Sequence, residues 1–483
     1  MGKTSSKIKS NIYLFLLREA LKRKNLRKIL LAQFEKKVAK SVLENKNFPR
    51  PVQEKKLQWV SAVLHQALKN LEKGYISPSI LEKAFKVLVR NNFFRDEVSE
   101  IKKAKEAFKE KYGIYPPLFL TLSPTQVCNL KCKGCYAASS PETAVTMPFE
   151  IAERILEENH DLFGSRFIVF SGGEPLMYQS QGKTIFDLFA KYPDTFIIFY
   201  TNGTLITKEV AQKLAELGNA YPQISVEGNE KETDERRGKG VFQRVLKGVS
   251  YLREVGLPYC LSVTATRKNL NTLLSDEFYQ FWFEEQGASY MWIFQLMPIG
   301  RGKEVFDLMP TPEERVKLYR KWESLLQRKY PVVDFWNSGV LASGCLAYAR
   351  ETSGYFYIDW NGNITPCVFI PYYVDNVYDL YKKGKTLGDA LVSDFFKKGR
   401  EWQRKYGYRC PPEKIQNWLM PCSIRDHYKY FREIILPEEA KGEDEFAEEL
   451  KNSKEYFEKM VEYDEKLKEV MDPIWEKEYK KQA

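Results

Sequence analysis

The chain has 483 residues, 43% of them hydrophobic, with 75 Lys and Arg against 64 Asp and Glu and eight cysteines. That is enough apolar material for a large core in two to four domains, which excludes a disordered or fibrous chain. Its apolar runs are only a few residues long and no signal-peptide pattern opens it, so the reading is a cytoplasmic protein that is neither exported nor membrane-spanning. Cysteines in such a chain read as metal ligands in a reducing compartment rather than as a disulfide framework.

Residues 1–115 hold 27 Lys and Arg against 11 Asp and Glu, a net +16, and the rest of the chain carries about −5. Helical periodicity runs through them, broken at Pro49 and Pro51 and resuming over 54–73 and 78–112, so this region is expected to be all-helical. In its most basic part, Ile12, Phe15, Leu16 and Ala20, then Leu26, Leu30 and Phe34, stand at helical spacing among lysines and arginines. Such a helix packs its apolar stripe on its own protein or lies on an anionic membrane surface. RNA is a weaker partner, since aromatics interleaved with arginines are missing, and no DNA contact is expected.

From Leu118 the texture changes to short β-branched and aromatic runs, at 118–123, 166–171, 195–200, 221–226, 259–264 and 290–297, with amphipathic stretches between them. Six βα units over 116–310 predict a parallel, partly open (βα)6 TIM-like barrel with right-handed crossovers. In parallel barrels the chemistry gathers where strands end.

The loop after the first strand holds Cys128, Cys132 and Cys135. A structural zinc site takes four ligands, and no fourth Cys or His is near. An iron-sulfur cube held by three cysteines leaves one iron for a non-protein ligand. This motif resembles that of the radical S-adenosylmethionine (SAM) superfamily. The resemblance implies a [4Fe-4S] cluster whose open iron binds SAM, and one-electron cleavage of SAM to methionine and a 5'-deoxyadenosyl radical that abstracts hydrogen from an unactivated carbon.

The other strand ends fit the same family. Ser171, Gly172, Gly173 and Glu174 match the element that binds the SAM amino group; Thr201, Asn202 and Gly203 resemble its polar turn beside the cofactor. Ser225 and Glu227 stand where relatives hold the ribose hydroxyls, although relatives often carry Asp at the second position. Arg236 or Arg237 is placed on the SAM carboxylate, Pro298 and Gly300 near adenine, and Tyr136 as a wall against the cluster.

Of the remaining cysteines, Cys260 lies in a strand pattern and reads as core. Cys345 and Cys367 flank a hairpin pattern with an Asn-Gly turn. With Cys410 and Cys422 they resemble the SPASM or twitch extension over 311–436, which implies one auxiliary [4Fe-4S] cluster. Four cysteines would close it; without Cys410 one iron stays open, His427 is an alternative ligand, and zinc is the competing metal. Residues 437–483 read as an acidic helical tail, solvated and packed on the basic N-terminal region.

Fold and cofactor do not fix the substrate. The whole pattern also resembles radical SAM enzymes that join lipid hydrocarbon chains, which implies radical C–C coupling by an enzyme held peripherally at the inner membrane face, with aromatic stretches lining an apolar channel. The alternative is a peptide- or protein-modifying SPASM maturase, although residues 1–115 show no strands for a leader-binding domain. A non-catalytic electron carrier needs none of the SAM-binding strand ends. Either enzyme needs a low-potential electron donor of ferredoxin or flavodoxin type.

Overall fold

The computed structural model describes residues 19, 23–44, 47–87 and 99–480. Each of the six expected runs forms a strand: β1 (Thr121–Leu122), β2 (Phe167–Phe170), β3 (Phe196–Thr201), β4 (Ala220–Val226), β5 (Cys260–Ala265) and β6 (Met291–Gln295). They pair in parallel in chain order, with Leu122 opposite Phe170, Thr201 opposite Ile224 and Ala265 opposite Gln295. Residues such as Ile168, Phe170, Ile197, Phe199, Ile224 and Val263 are buried because helices cover the outer face and the barrel interior the other.

The sheet does not stop at residue 310. β7 (Val332–Asp334) extends it parallel to β6. At the opposite edge β8 (Tyr357–Ile358) pairs in parallel with β1, Thr121 opposite Tyr357. β8 is one arm of the expected hairpin; the other is β9 (Asn363–Thr365), followed by β10 (Tyr372–Tyr373) and β11 (Asp375–Asn376). Asp359 shapes the turn by accepting from the backbone N–H of Asn361 (2.8 Å) and Asn363 (2.9 Å). The cysteine-bearing extension is therefore built onto the barrel's first strand.

The described part of the basic region is helical: α1 (Lys24–Leu43), α2 (Arg50–Glu72), α3 (Pro78–Phe85) and α4 (Ser99–Tyr112). Helix α2 lies on the barrel, where Gln66 Nε2 donates to the carbonyls of Phe283 (3.0 Å) and Ala288 (3.1 Å) and Lys55 pairs with Glu323 at 2.6 Å. Helix α1 lies on α2, with Glu35 reaching Ser61 and His65. The packing alternative holds for these helices. Of the stripe on which the membrane-surface reading rests, Leu26, Leu30 and Phe34 fall on α1, whereas Ile12, Phe15, Leu16 and Ala20 lie outside the described residues. No described helix is long and apolar enough to cross a membrane.

The C-terminal segment departs from expectation. After Pro437, β12 (Lys441–Gly442) pairs antiparallel with β10, so the segment begins inside the fold. Beyond the barrel helix α5 (Pro312–Gln327), opened by a Thr311–Glu314 capping box, the tail helix α6 (Lys454–Trp475) buries Tyr456, Met460, Leu467, Met471 and Trp475. It packs chiefly on α5 and the residues after Cys422, and the helical turn that follows it, Glu476–Lys480, reaches α2. The reason is that its inward stripe is mostly apolar; of its acidic side chains only Asp464 is buried, where it accepts from the Tyr428 N–H, and the others stay outside.

Arg315 on α5 bonds both carboxylate oxygens of Asp426, with both side chains fully buried, and also Asn337 Oδ1 at 2.9 Å and the Leu419 carbonyl at 2.9 Å. Removing one partner strands a buried charge, so Asp426→Ala is expected to lose about 3–5 kcal/mol of stability in denaturant unfolding. A loss under about 1 kcal/mol, the value of an exposed pair, would contradict this packing.

Candidate functional site

The loop after β1 continues alongside the end of β2. Beyond the strands, Ser171 N–H donates to Leu122 O (2.9 Å), Gly173 N–H to Thr125 O (2.9 Å) and Glu174 N–H to Val127 O (2.8 Å). A Cβ on Gly173 would stand 2.2 Å from Val127 O, so no side chain fits there. On the loop's other flank Gly300, at φ +54°, comes so near that a Cβ would stand 2.2 Å from Tyr136 O. Arg301 completes the clamp: its N–H donates to Cys135 O (3.1 Å) and its Nη2 to Cys132 O (3.3 Å) and Ser139 O (2.5 Å).

Held this way, Cys128, Cys132 and Cys135 line one cavity of about 330 Å³ at the strand ends. Tyr136, Ser171, Gly172, Gly173, Thr201, Asn202, Ser225, Arg236 and Arg237 line it too, so twelve residues selected from separate stretches converge. Tyr136 forms a wall, its hydroxyl 2.7 Å from Ser171 Oγ. Burial pushes the Cys128 thiol up to about 12 and raises that of Cys132.

Four expected contacts are placed differently. Glu174 does not line the cavity; it is fully buried and accepts from Thr201 Oγ1 (2.8 Å), Asn202 N–H (2.8 Å) and Leu176 N–H (3.2 Å), tying the ends of β2 and β3 together. Burial lifts its carboxyl to about 7, against those hydrogen bonds. Glu227 is also outside the lining: it accepts from Arg236 Nη1 (2.6 Å) and Arg237 Nε (2.7 Å), behind the two arginines. Both arginines sit in the last turn of the helix Glu230–Arg237, capped by Asn229, and both face the cavity. Pro298 and Gly300 stand outside the lining, where Leu296 and Met297 take their place, because Gly300 is spent on the cysteine loop.

The sequence reading missed Ser262, Thr264 and Gln295, and took Trp292, Phe294 and Phe335 only as part of the aromatic stretches lining an apolar channel; all six line the cavity. Ser262 and Thr264, and Trp292 and Phe294, alternate along β5 and β6, so strand parity is the signal that finds them. Gln295 Nε2 donates to both oxygens of Asp334 (3.1 and 3.0 Å), leaving its buried Oε1 without a partner; Ser139 Oγ is also buried and unpartnered. Orphaned acceptors beside three thiols and two arginines suit a polar, charged ligand.

A second cavity of about 220 Å³ is lined by Cys345, Cys367 and Cys422. It shares Trp292, Phe335, Leu346 and Tyr355 with the first. Tyr355 OH lies 2.9 Å from Cys367 Sγ, and Phe369 N–H donates to the same sulfur at 3.4 Å. Burial pushes the Cys367 thiol up to about 12 and raises those of Cys345 and Cys422. Cys410 is not in the lining; its thiol donates to the Arg404 carbonyl at 3.2 Å. His427 is held by the Met420 carbonyl and ringed by Trp402 and Tyr406. The donor set is therefore three sulfurs. Among the described residues no three Cys, His, Asp or Glu side chains are disposed to hold a single metal ion. A lone zinc gathers its sulfurs at about 2.3 Å from one centre, whereas each thiolate on a cube binds a different iron.

The sequence profile of the Radical SAM superfamily matches residues 122–271. Mycofactocin maturase MftC of Mycolicibacterium smegmatis is 31% identical over 287 residues, covering 58% of this chain and 69% of that protein. An AdoMet-dependent heme synthase of Methanosarcina barkeri is 27% identical over 293 residues, 54% of this chain and 79% of the synthase. Among solved structures, Streptococcus suis SuiB bound to precursor peptide SuiA superposes with a TM-score of 0.50 at 20% identity, over 63% of this chain and 72% of SuiB, and so shares the fold.

Gly173→Ala is expected to push the cysteine loop off β2 and to lower the iron retained at Cys128, Cys132 and Cys135 to the level of a Cys128→Ala chain. Iron analysis after anaerobic reconstitution checks this; wild-type iron in Gly173→Ala would show that the loop tolerates displacement.

Proposed function

The chain belongs to the radical SAM superfamily, and from that premise we propose that it is a maturase-type enzyme that abstracts hydrogen from a peptide substrate with the help of a second iron-sulfur cluster. Superfamily members use a [4Fe-4S] cluster and SAM, which bound together supply one-electron cleavage of SAM and a 5'-deoxyadenosyl radical. In this chain Cys128, Cys132 and Cys135 would hold that cluster. Arg236 and Arg237, oriented by Glu227, offer charge to the SAM carboxylate, and Ser171–Gly173, Thr201, Asn202 and Ser225 line the rest of its berth. Cys345, Cys367 and Cys422 would hold the auxiliary cluster with one iron free of protein ligands. The electron comes from a low-potential donor of ferredoxin or flavodoxin type.

The observation that carries this reading is the common wall. A substrate resting on Trp292, Phe335, Leu346 and Tyr355 borders both cysteine sites at once. These walls exclude water around a reactive carbon, and the unpartnered Gln295 Oε1 accepts one hydrogen bond from a donor in the cavity. Lipid-chain coupling draws less support: the solved relative named above holds a precursor peptide, MftC is by name a maturase, and the described basic helices pack on their own protein.

The test is anaerobic turnover of reconstituted enzyme with SAM and dithionite, scoring 5'-deoxyadenosine with added short peptides encoded beside this gene, with lipid extract, or with porphyrin. Stimulation by a peptide, with a mass change in that peptide, is the expected result; stimulation by lipid or porphyrin alone overturns the substrate class. Cys367→Ala is expected to lose the iron of one cluster, about four atoms, keep abortive SAM cleavage and lose peptide product, whereas Cys410→Ser keeps its iron and its turnover. Loss of iron in Cys410→Ser would return that residue to the ligand set.

A further inference from the structure

Two cations stand behind the loop that walls the second cavity, and no carboxylate pairs with either among the described residues. Lys56, from α2, places its Nζ 2.6 Å from the Leu341 carbonyl and 3.0 Å from Ser343 Oγ. Arg350, only 2% exposed, donates to the carbonyls of Ser343 (2.9 Å) and Ala342 (2.7 Å). Both cations thus brace the short loop that leads to Cys345, and among the described residues neither meets a carboxylate; the charged or titratable groups they face are each other, Cys345, Tyr408 and Arg409. Burial and the neighbouring Arg350 bring the Lys56 ammonium down to about 7, a sign of an uncompensated site.

A second observation points the same way. Trp59, one helical turn on from Lys56, and Trp336 both line this cavity, and the indole N–H of each is buried without a partner. An indole is a donor only. Two idle donors in the lining, and two cations behind it that meet carbonyls and the rings of Phe48 and Tyr408 but no carboxylate, call for an occupant that is anionic and rich in acceptors.

We infer that helix α2 is a wall of the second cysteine site, and that Lys56 and Trp59, with Arg350 and Trp336, compensate the negative charge of a thiolate-ligated cluster and favour its one-electron-reduced form. This rests on the reading that Cys345, Cys367 and Cys422 hold a cluster. One-electron reduction adds one negative charge to the cluster, and a nearby cation in a low-dielectric surrounding lowers the cost of that charge. Charge and hydrogen bonds to sulfur are among the factors that set cluster potentials. The basic character of residues 1–115 then has a task inside the molecule.

The experiment uses the full chain with Cys128, Cys132 and Cys135 replaced by Ala, so that only the second cluster remains. It is reconstituted with iron and sulfide and titrated with dithionite under EPR. Lys56→Met added to this parent is expected to keep the parent's iron per chain and to move the midpoint potential negative, while Lys56→Arg stays near the parent. Loss of iron in Lys56→Met but not in Lys56→Arg also supports a charge requirement. An unchanged midpoint in Lys56→Met, or equal iron loss in both variants, overturns the inference with the cluster reading intact. A parent chain that binds no iron overturns the cluster reading itself, and this inference with it.

Discussion

The constraint on which the first cysteine site depends is backbone on backbone: the cysteine loop runs against the end of β2 with no room for a Cβ at Gly173. Three hydrogen bonds, from the amides of Ser171, Gly173 and Glu174, carry the β1–β2 pairing past the end of both strands and into the loop. The loop is thereby an outgrowth of the sheet, not a mobile appendage. Gly300 and Arg301 close its other side, so the positions of three thiols are inherited from strand register. A catalytic constellation held by rigid elements keeps its geometry when the cavity beside it fills and empties.

Buried carboxylates then divide the work. Glu174 and Glu227 both stand behind the cavity wall, yet their surroundings differ. Glu174 receives neutral donors, so burial dominates and its carboxyl is lifted. Glu227 meets two guanidinium groups that open on the cavity, and three groups so arranged leave one net positive charge facing inward. The thiols show the converse need. Burial disfavours thiolate at Cys128, Cys132, Cys345, Cys367 and Cys422, so each site is complete only with a cationic core that makes thiolate formation favourable.

How much of this was legible in the sequence follows from what kind of contact each feature makes. The six strands read clearly because parallel strands buried on both faces become short continuous apolar runs. The cysteine motif and the strand-end glycines read clearly because their spacing is local. Strand β7, only three residues long, gives too little pattern, and the parallel pairing of β8 with β1 joins Tyr357 to Thr121 across a span that local periodicity cannot see. Cysteine counting has no direction and so groups Cys410 with Cys345, Cys367 and Cys422; the turn after Arg404 points its thiol to the Arg404 carbonyl. Helix α2 shows the same limit, since an amphipathic basic helix looks alike whether its partner is lipid or its own barrel.

The pairing of β8 with β1 also explains why the two cysteine sites share a wall. Along residues 355–358 side chains alternate: Phe356 turns to the helices, meeting Phe163 and Phe396, while Tyr355 turns inward, stacks on Phe119 at 5.2 Å with ring planes 3° apart, and reaches Cys367 with its hydroxyl. A slip of one residue in this pairing would send Tyr355 to the helix layer and a phenylalanine into the cavity. The second site would then lose both its hydrogen bond to sulfur and its border with the first. A two-residue strand added to the barrel edge therefore fixes where the second cysteine set stands relative to the first, with Tyr355 in the lining of both cavities.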